Sequence, residues 1–188
     1  MSTIAIRAAR DVSPENVILG LLYQQPAHGY DLRRRLNQDL GQVWHLPLNQ
    51  IYNTLNRLEA RGLVSSSAEP SLSGPSRRRF QLNEPGRQQF RVWLHSVTPC
   101  NIRAIRVEFT SRLYFAVDIS QDLARTLLDE QLNALLAFQS QLQARLAALA
   151  PEFTPNRMAL MLRVQTMAAL LDWMREYQAA LAPPPAEG

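Results

Sequence analysis

The helical period that governs most of this chain breaks once, between residues 63 and 82, and that interruption constrains its fold more than any other feature. Before the break, apolar residues recur at three- and four-residue steps: Val17, Ile18, Leu21 and Leu22, then Leu32, Leu36 and Leu40, then Leu48, Ile51, Leu55 and Leu58. Each set lines one face of an α-helix. Breakers and caps bound the three. Ser13 before Pro14 opens the first, over about 14–24; the turn Gln25-Pro26-Ala27-His28-Gly29 leads to the second, about 29–40, which Gly41 stops; Pro47 opens the third, which ends at Gly62. Inside the break, Leu63-Val64-Ser65-Ser66-Ser67 and Arg78-Arg79-Phe80-Gln81-Leu82 are short extended runs around a turn-rich segment, 69–76. That pattern predicts a β-hairpin with a loose tip. Asn83 then caps a fourth helix, with Phe90, Trp93 and Leu94 facing inward, to about Ser96.

Thr98-Pro99-Cys100-Asn101 is the predicted domain boundary, and the chain beyond it reads as all helix. Ile102, Ile105, Phe109, Leu113 and Ala116 give one stripe. Ser120 caps the next helix, along which Leu128, Leu132, Leu135, Leu142, Leu146 and Leu149 repeat until Pro151. From Pro155 a last helix repeats Leu160, Val164, Met167, Leu171, Met174 and Leu181, with Gln178 the polar member of the register. The expected domains are therefore 11–97 and 102–181, with 1–10 and 182–188 as flexible termini. Two long helices with such registers carry more apolar surface than one antiparallel pair hides, so a homodimer through residues 120–181 is expected.

Charge divides the chain at the same place. All twenty basic residues are arginine; residues 1–95 hold twelve of them against seven acids, and residues 96–188 hold eight against nine. A basic amino half and a near-neutral, leucine-rich carboxyl half call for an anionic partner in the first and a protein partner in the second. The single cysteine, Cys100, excludes a disulfide framework and CxxC-type metal sites, and His28, His45 and His95 lie far apart, so neither metal nor cofactor is expected. An apolar run long enough to span a bilayer is missing, so the reading is a cytoplasmic protein with no membrane partner.

The third helix carries the sharpest chemical signal. Opposite its apolar face, Asn49, Asn53 and Asn56 form a stripe at i, i+4, i+7, beside a second one of Gln50, Thr54, Arg57 and Arg61, with Glu59 as the only acid. Asparagine is a poor helix former, and a merely solvated face would carry Glu, Lys or Gln instead. Short amides and arginines aimed outward suit the donor and acceptor groups of base edges. On the second strand of the hairpin, Arg77 and Arg79 point together and Arg78 points oppositely, placing cations where phosphates or a minor groove would lie.

Taken together, these residues resemble the PadR family of winged helix-turn-helix repressors. The resemblance runs through His28-Gly29-Tyr30-Asp31-Leu32 and through Asn49-Gln50-Ile51-Tyr52-Asn53-Thr54-Leu55-Asn56-Arg57-Leu58-Glu59-Ala60-Arg61-Gly62-Leu63-Val64. It continues from Arg79-Phe80-Gln81-Leu82-Asn83-Glu84-Pro85-Gly86 into Trp93-Leu94, covering about residues 15–95. The chain departs from the family at Asn49-Gln50, where small residues are usual, and at Asn83, where threonine is usual. The long carboxyl half is similar to the longer, AphA-like subgroup of virulence regulators.

The resemblance implies a mainly α protein: an amino-terminal winged helix-turn-helix with a small β-hairpin wing, plus a carboxyl-terminal helical dimerisation region. It implies a pseudo-palindromic duplex operator, with His28, Tyr30, Asn49, Gln50, Tyr52, Asn53, Thr54, Asn56, Arg57, Arg77, Arg78 and Arg79 as the DNA-binding residues. It also implies a small aromatic effector, for which Trp93, Met167, Trp173, Met174 and Tyr177 are the candidate pocket. Two other classes compete with this reading. A helical adaptor would use the basic half to bind an acidic protein without DNA specificity. A small hydrolase would need a nucleophile, histidine and acid in one set, and the sequence supplies no such motif.

Overall fold

The structure, a computed structural model, describes residues 13–71 and 74–181. The expected flexible termini, 1–10 and 182–188, lie outside the described residues. The chain divides into two compact units, Met1–Ser96 and Val97–Gly188.

The amino unit runs α1 (Glu15–Gln24), β1 (Ala27–His28), α2 (Gly29–Leu40), α3 (Leu48–Ala60), β2 (Val64–Ser71), β3 (Gly74–Leu82) and α4 (Glu84–Leu94). The apolar stripes meet in one core, in which Ile18, Leu21, Leu32, Leu36, Ile51, Leu55, Leu58, Phe80 and Phe90 are all fully buried. Each such side chain contributes about 1.5–3 kcal/mol relative to exposure. The N-cap position falls on Pro14, not on Ser13 as expected, and Ser13 Oγ accepts from Glu15 N at 3.3 Å just outside the helix.

Three expectations for this unit need correction. The turn 25–29 contains a strand: Ala27 and His28 pair antiparallel with Phe80 and Arg79, giving the sheet order β1-β3-β2. Pro26 disfavours helix at the residue before it, and Gln25 is accordingly extended at φ −165°, ψ 150°. Two residues are too few to show a period.

The hairpin is also longer than expected, with strands reaching Ser71 and Gly74 around a register shift between Glu69 and Ser71. Pro70 is tolerated there because β2 is the sheet edge. Third, Asn83 stands at the start of α4 but makes no side-chain cap. Its Oδ1 accepts from Ser65 Oγ at 2.9 Å and its Nδ2 donates to the Gly62 carbonyl at 3.1 Å, so it ties the foot of the wing instead.

Two glycines set the geometry. Gly62 takes φ +69°, the left-handed conformation that ends α3, with Gly62 N donating to Glu59 O and Leu63 N to Leu58 O, both at 2.9 Å. At Gly29 a Cβ would lie 2.7 Å from the Tyr52 ring, so the start of α2 can approach α3 only without a side chain there.

The carboxyl unit opens with α5, made of the α-turn Ile102–Ala104, the π-helical turn Ile105–Phe109 and the α-helix Thr110–Ile119. Thr110 Oγ1 donates to the carbonyl of Ile105, five residues back, at 3.2 Å. The π-turn shifts the helical phase, which corrects the predicted stripe: Ile105, Phe109, Leu113 and Ala116 are buried, whereas Ile102 is 58% exposed. Next come α6 (Gln121–Ala147), capped by Ser120 as expected, and α7 (Pro155–Ala180), capped by Thr154. Along α6 the register buries Leu128, Leu135 and Leu142 and leaves Leu149 exposed.

Thr98 was expected in a boundary segment, yet it is buried inside this unit. Its backbone exchanges hydrogen bonds with the Gln131 amide, Thr98 N donating at 2.8 Å and Gln131 Nε2 donating back at 3.0 Å. Arg112, 2% exposed, donates through Nη2 to Thr98 Oγ1. Loss of solvation lowers the Arg112 pKa to about 10, against a raising effect of Glu108.

Candidate nucleic-acid interface

On α3 the apolar stripe and the amide stripe fall on opposite sides. Asn49, Gln50, Asn53, Asn56 and Arg57 are exposed, while Ile51, Leu55 and Leu58 are buried. Thr54, predicted among the outward residues, is fully buried. It sits at the i+3 position of the inward stripe begun by Ile51, and its Oγ1 satisfies itself on the Gln50 carbonyl at 2.9 Å. Tyr52 is half-buried with its ring over Gly29, which explains why the two sequence motifs occur together. Tyr30 is 59% exposed.

Arg57 and Arg61 are held back toward α1 by a residue that the sequence reading overlooked. Glu15, on α1, lies 3.6 Å from Arg57 Nε and 2.6 Å from Arg61 Nη1. A first-turn glutamate looks like an ordinary helix-start residue, so no local signal marks it as a partner of α3.

The arginine triplet on β3 separates by face, as alternation requires. Arg77 is exposed, opposite Glu69 in the ladder. Arg79 Nη1 pairs with Glu69 at 3.1 Å. Arg78 turns the other way and reaches α3, donating to Asn56 Oδ1 at 3.2 Å, to the Glu59 carboxylate and to Ser66 Oγ at 2.9 Å. Ser66 Oγ in turn donates to Glu59 Oε1 at 2.7 Å, and with Arg78 it holds the Glu59 carboxyl below its ordinary pKa. Glu59, the single acid of the face, is thus neutralised by the wing.

His28, predicted to bind DNA, is corrected to a fastening role. Its Nδ1 lies 3.1 Å from the Arg78 carbonyl and its Nε2 lies 3.2 Å from Glu69 Oε2, both acceptors within the sheet, so the N–H of the ring is directed to one or the other.

The predicted effector residues fall in both units. Trp93 belongs to the amino unit, half-buried against Phe90 at 5.9 Å between ring centroids. In the carboxyl unit, Met167 and Met174 are buried in the core. Trp173 is half-buried between Phe109, edge-on at 6.5 Å, and the more exposed Tyr177 at 5.8 Å. A cavity of about 310 Å³ in this unit is lined by other residues: Arg145, Leu149, Asn156, Ala159, Leu160 and Arg163. Burial raises the Cys100 thiol pKa. Among the described residues no helix is long and apolar enough to cross a membrane, and no group of three or more His, Cys, Asp or Glu could hold a metal.

Four helices and a three-stranded antiparallel sheet, whose basic hairpin stands beside an amide-faced helix, define a winged helix-turn-helix regulator. Residues 18–92 match the family described as the transcriptional regulator PadR-like family. Over 128 residues the chain is 30% identical to the negative transcriptional regulator PadR of Bacillus subtilis (strain 168), covering 67% of this chain and 69% of the relative. It is 28% identical over 79 residues to the probable transcriptional regulator Rv1176c of Mycobacterium tuberculosis, 42% of each chain. It belongs to the PadR family of transcriptional regulators. Among solved structures, Bacillus subtilis PadR in complex with operator DNA is similar at 25% identity and TM-score 0.46, covering 89% of this chain and 98% of that one. The same protein in complex with p-coumaric acid matches with TM-score 0.41 over the same shares.

Proposed function

We propose that the chain is a repressor that reads duplex DNA with α3, engages phosphates from the wing through Arg77, and acts as a homodimer joined by its carboxyl unit. The observation that carries this reading is the outward face of α3, where Asn49, Gln50, Asn53 and Asn56 are exposed together and Glu59, the acid on that helix, is already paired. Amides so placed suit base edges, and the arginines suit the backbone. The name of the 30%-identical relative, a negative regulator, supports repression.

Apolar side chains left exposed on α6 and α7, among them Leu136, Met158, Met161 and Leu162, support a second copy as the partner of the carboxyl unit. Two reading helices then demand a pseudo-palindrome with half-sites about one turn, roughly 34 Å, or a multiple apart. A small aromatic effector released into the cytoplasm is the expected inducer, since the Bacillus relative is a p-coumaric acid binder. The half-exposed ring pair Trp173 and Tyr177 is the part of the predicted pocket still suited to it. The long carboxyl helices support assigning the chain to the longer, AphA-like subgroup.

The test is selection from a random duplex library, followed by binding titrations over a range of salt. One enriched pseudo-palindrome is expected, with the log-log slope steepening by about 0.9 for each phosphate neutralised. No enriched sequence and a flat salt response would overturn the proposal in favour of an adaptor for an acidic protein. Light scattering checks the dimer, and quenching of tryptophan fluorescence by phenolic acids checks the effector.

A further inference from the structure

We infer that Arg78, by holding the Asn56 carbonyl, fixes the direction of that amide and turns its Nδ2 hydrogens toward DNA, which makes Arg78 a positioning residue for base selection rather than a phosphate contact. The inference rests on the reading of α3 as the DNA-reading helix.

The Arg78 guanidinium decides which atom of the Asn56 amide faces it. It has five N–H donors and no acceptor, so the Asn56 atom that meets Arg78 Nη1 at 3.2 Å must be the carbonyl oxygen. A flipped amide would set donor against donor. The chemistry of the partner therefore fixes the direction of the amide.

Arg78 is in turn held on several sides. Its Nη2 bonds the Glu59 carboxylate and Ser66 Oγ, its Nε reaches Ser66 Oγ at 3.2 Å, and its Cζ lies 4.9 Å from the centre of the Phe80 ring. Glu59 is itself bonded by Ser66. This clamp joins β2, β3 and α3, so the guanidinium is spent on the protein before DNA arrives.

The consequence for base choice follows. A freely turning asparagine amide pairs with adenine by donating and accepting at once. With its oxygen held by Arg78, Asn56 turns its Nδ2 hydrogens outward, and these match two adjacent acceptors on guanine, O6 and N7, or O4 of thymine, whereas adenine sets its N6 donor beside the single acceptor N7. The position it reads should prefer guanine or thymine over adenine on the contacted strand.

The experiment uses the full chain and the selected operator, with every base pair of one half-site varied in turn, comparing the parent with Asn56→Ala, Arg78→Ala and Arg78→Lys. Asn56→Ala should lose about two- to tenfold discrimination at one base pair, the scale of one hydrogen bond. Both Arg78 variants should lose preference at that same pair, and Asn56→Ala combined with either should lose no more. Lysine keeps the charge but cannot span Asn56, Glu59 and Ser66, so Arg78→Lys separates positioning from charge and serves if Arg78→Ala unfolds. The salt slope on random DNA should not change. If Arg78→Ala weakens all sequences alike and the slope falls by about 0.9, Arg78 is a phosphate contact and the inference is wrong. An adenine preference at the Asn56 position, or a guanine preference that survives both Arg78 variants, also overturns it while leaving α3 as the reading helix. A parent that selects no sequence overturns both readings together.

Discussion

The paired arginines of the amino unit and the buried Arg112 of the carboxyl unit serve opposite ends, although Arg125 and Arg175 of the carboxyl unit also make exposed pairs. In the amino unit, Arg57, Arg61, Arg78 and Arg79 are about half exposed and pair with carboxylates of other elements. In the carboxyl unit, Arg112 is 2% exposed and bonds the hydroxyl of Thr98. Exposed pairs of the first kind contribute about 0.2–1 kcal/mol each, because water screens them. A buried guanidinium costs much more to strand, because its desolvation is offset only while its bonds hold. The first set orients a surface with little effect on stability, and the second fixes the path of the chain.

That contrast can be broken most forcefully at Arg112. Arg112→Ala should destabilise the carboxyl unit by about 2–4 kcal/mol, read by urea unfolding, because it removes a charged hydrogen bond and opens a cavity beside Thr98. Arg112→Met, which keeps much of the volume, should cost clearly less; equal losses would mean that the hydrogen bond to Thr98, and not the filled volume, is what matters there. Arg78→Ala is the counterpart, expected to cost no more than about 1 kcal/mol in the same measurement.

A smaller effect sharpens the comparison through pH. Ser66 and then Arg78 lower the folded-state pKa of Glu59. A carboxyl with a depressed folded pKa contributes stability that is complete above its unfolded pKa and is lost as pH falls through the folded value. Melting of the amino unit should therefore weaken on acidification below the usual carboxylate range, and Glu59→Gln should remove that part of the slope. An unchanged acid slope in Glu59→Gln would show that the clamp holds without the charge. The smallest effect concerns Cys100: burial raises its pKa, so alkylation at neutral pH should be slow and should speed up with alkaline pH or urea.

The helices of both units and the wing were legible because their apolar residues repeat over several turns, as Leu32, Leu36 and Leu40 do on α2. The amide face of α3 was legible for the same reason in negative, being what the apolar stripe leaves over. Elements without a period were hidden: β1 has two residues, and the π-turn at Ile105–Phe109 looks in sequence like more of the same helix. Partners far apart in the chain were hidden as well. Nothing in the letters ties Glu15 to Arg61 or Arg78 to Asn56, and Asn83 has the composition of a cap while serving the foot of the wing. Thr54 was misjudged because threonine counts as polar by composition, although a helix interior can accept its hydroxyl through the carbonyl four residues back.

The close approach of Gly29 to the Tyr52 ring also constrains how the chain can vary. Any side chain at 29 enters the space of that ring, so the two positions cannot drift independently. A larger residue at the first can be admitted only with a smaller or displaced one at the second. Through that one steric fit, the head of α2 and the half-buried Tyr52 edge of α3 constrain each other, while the exposed amides elsewhere on α3 take no part in it.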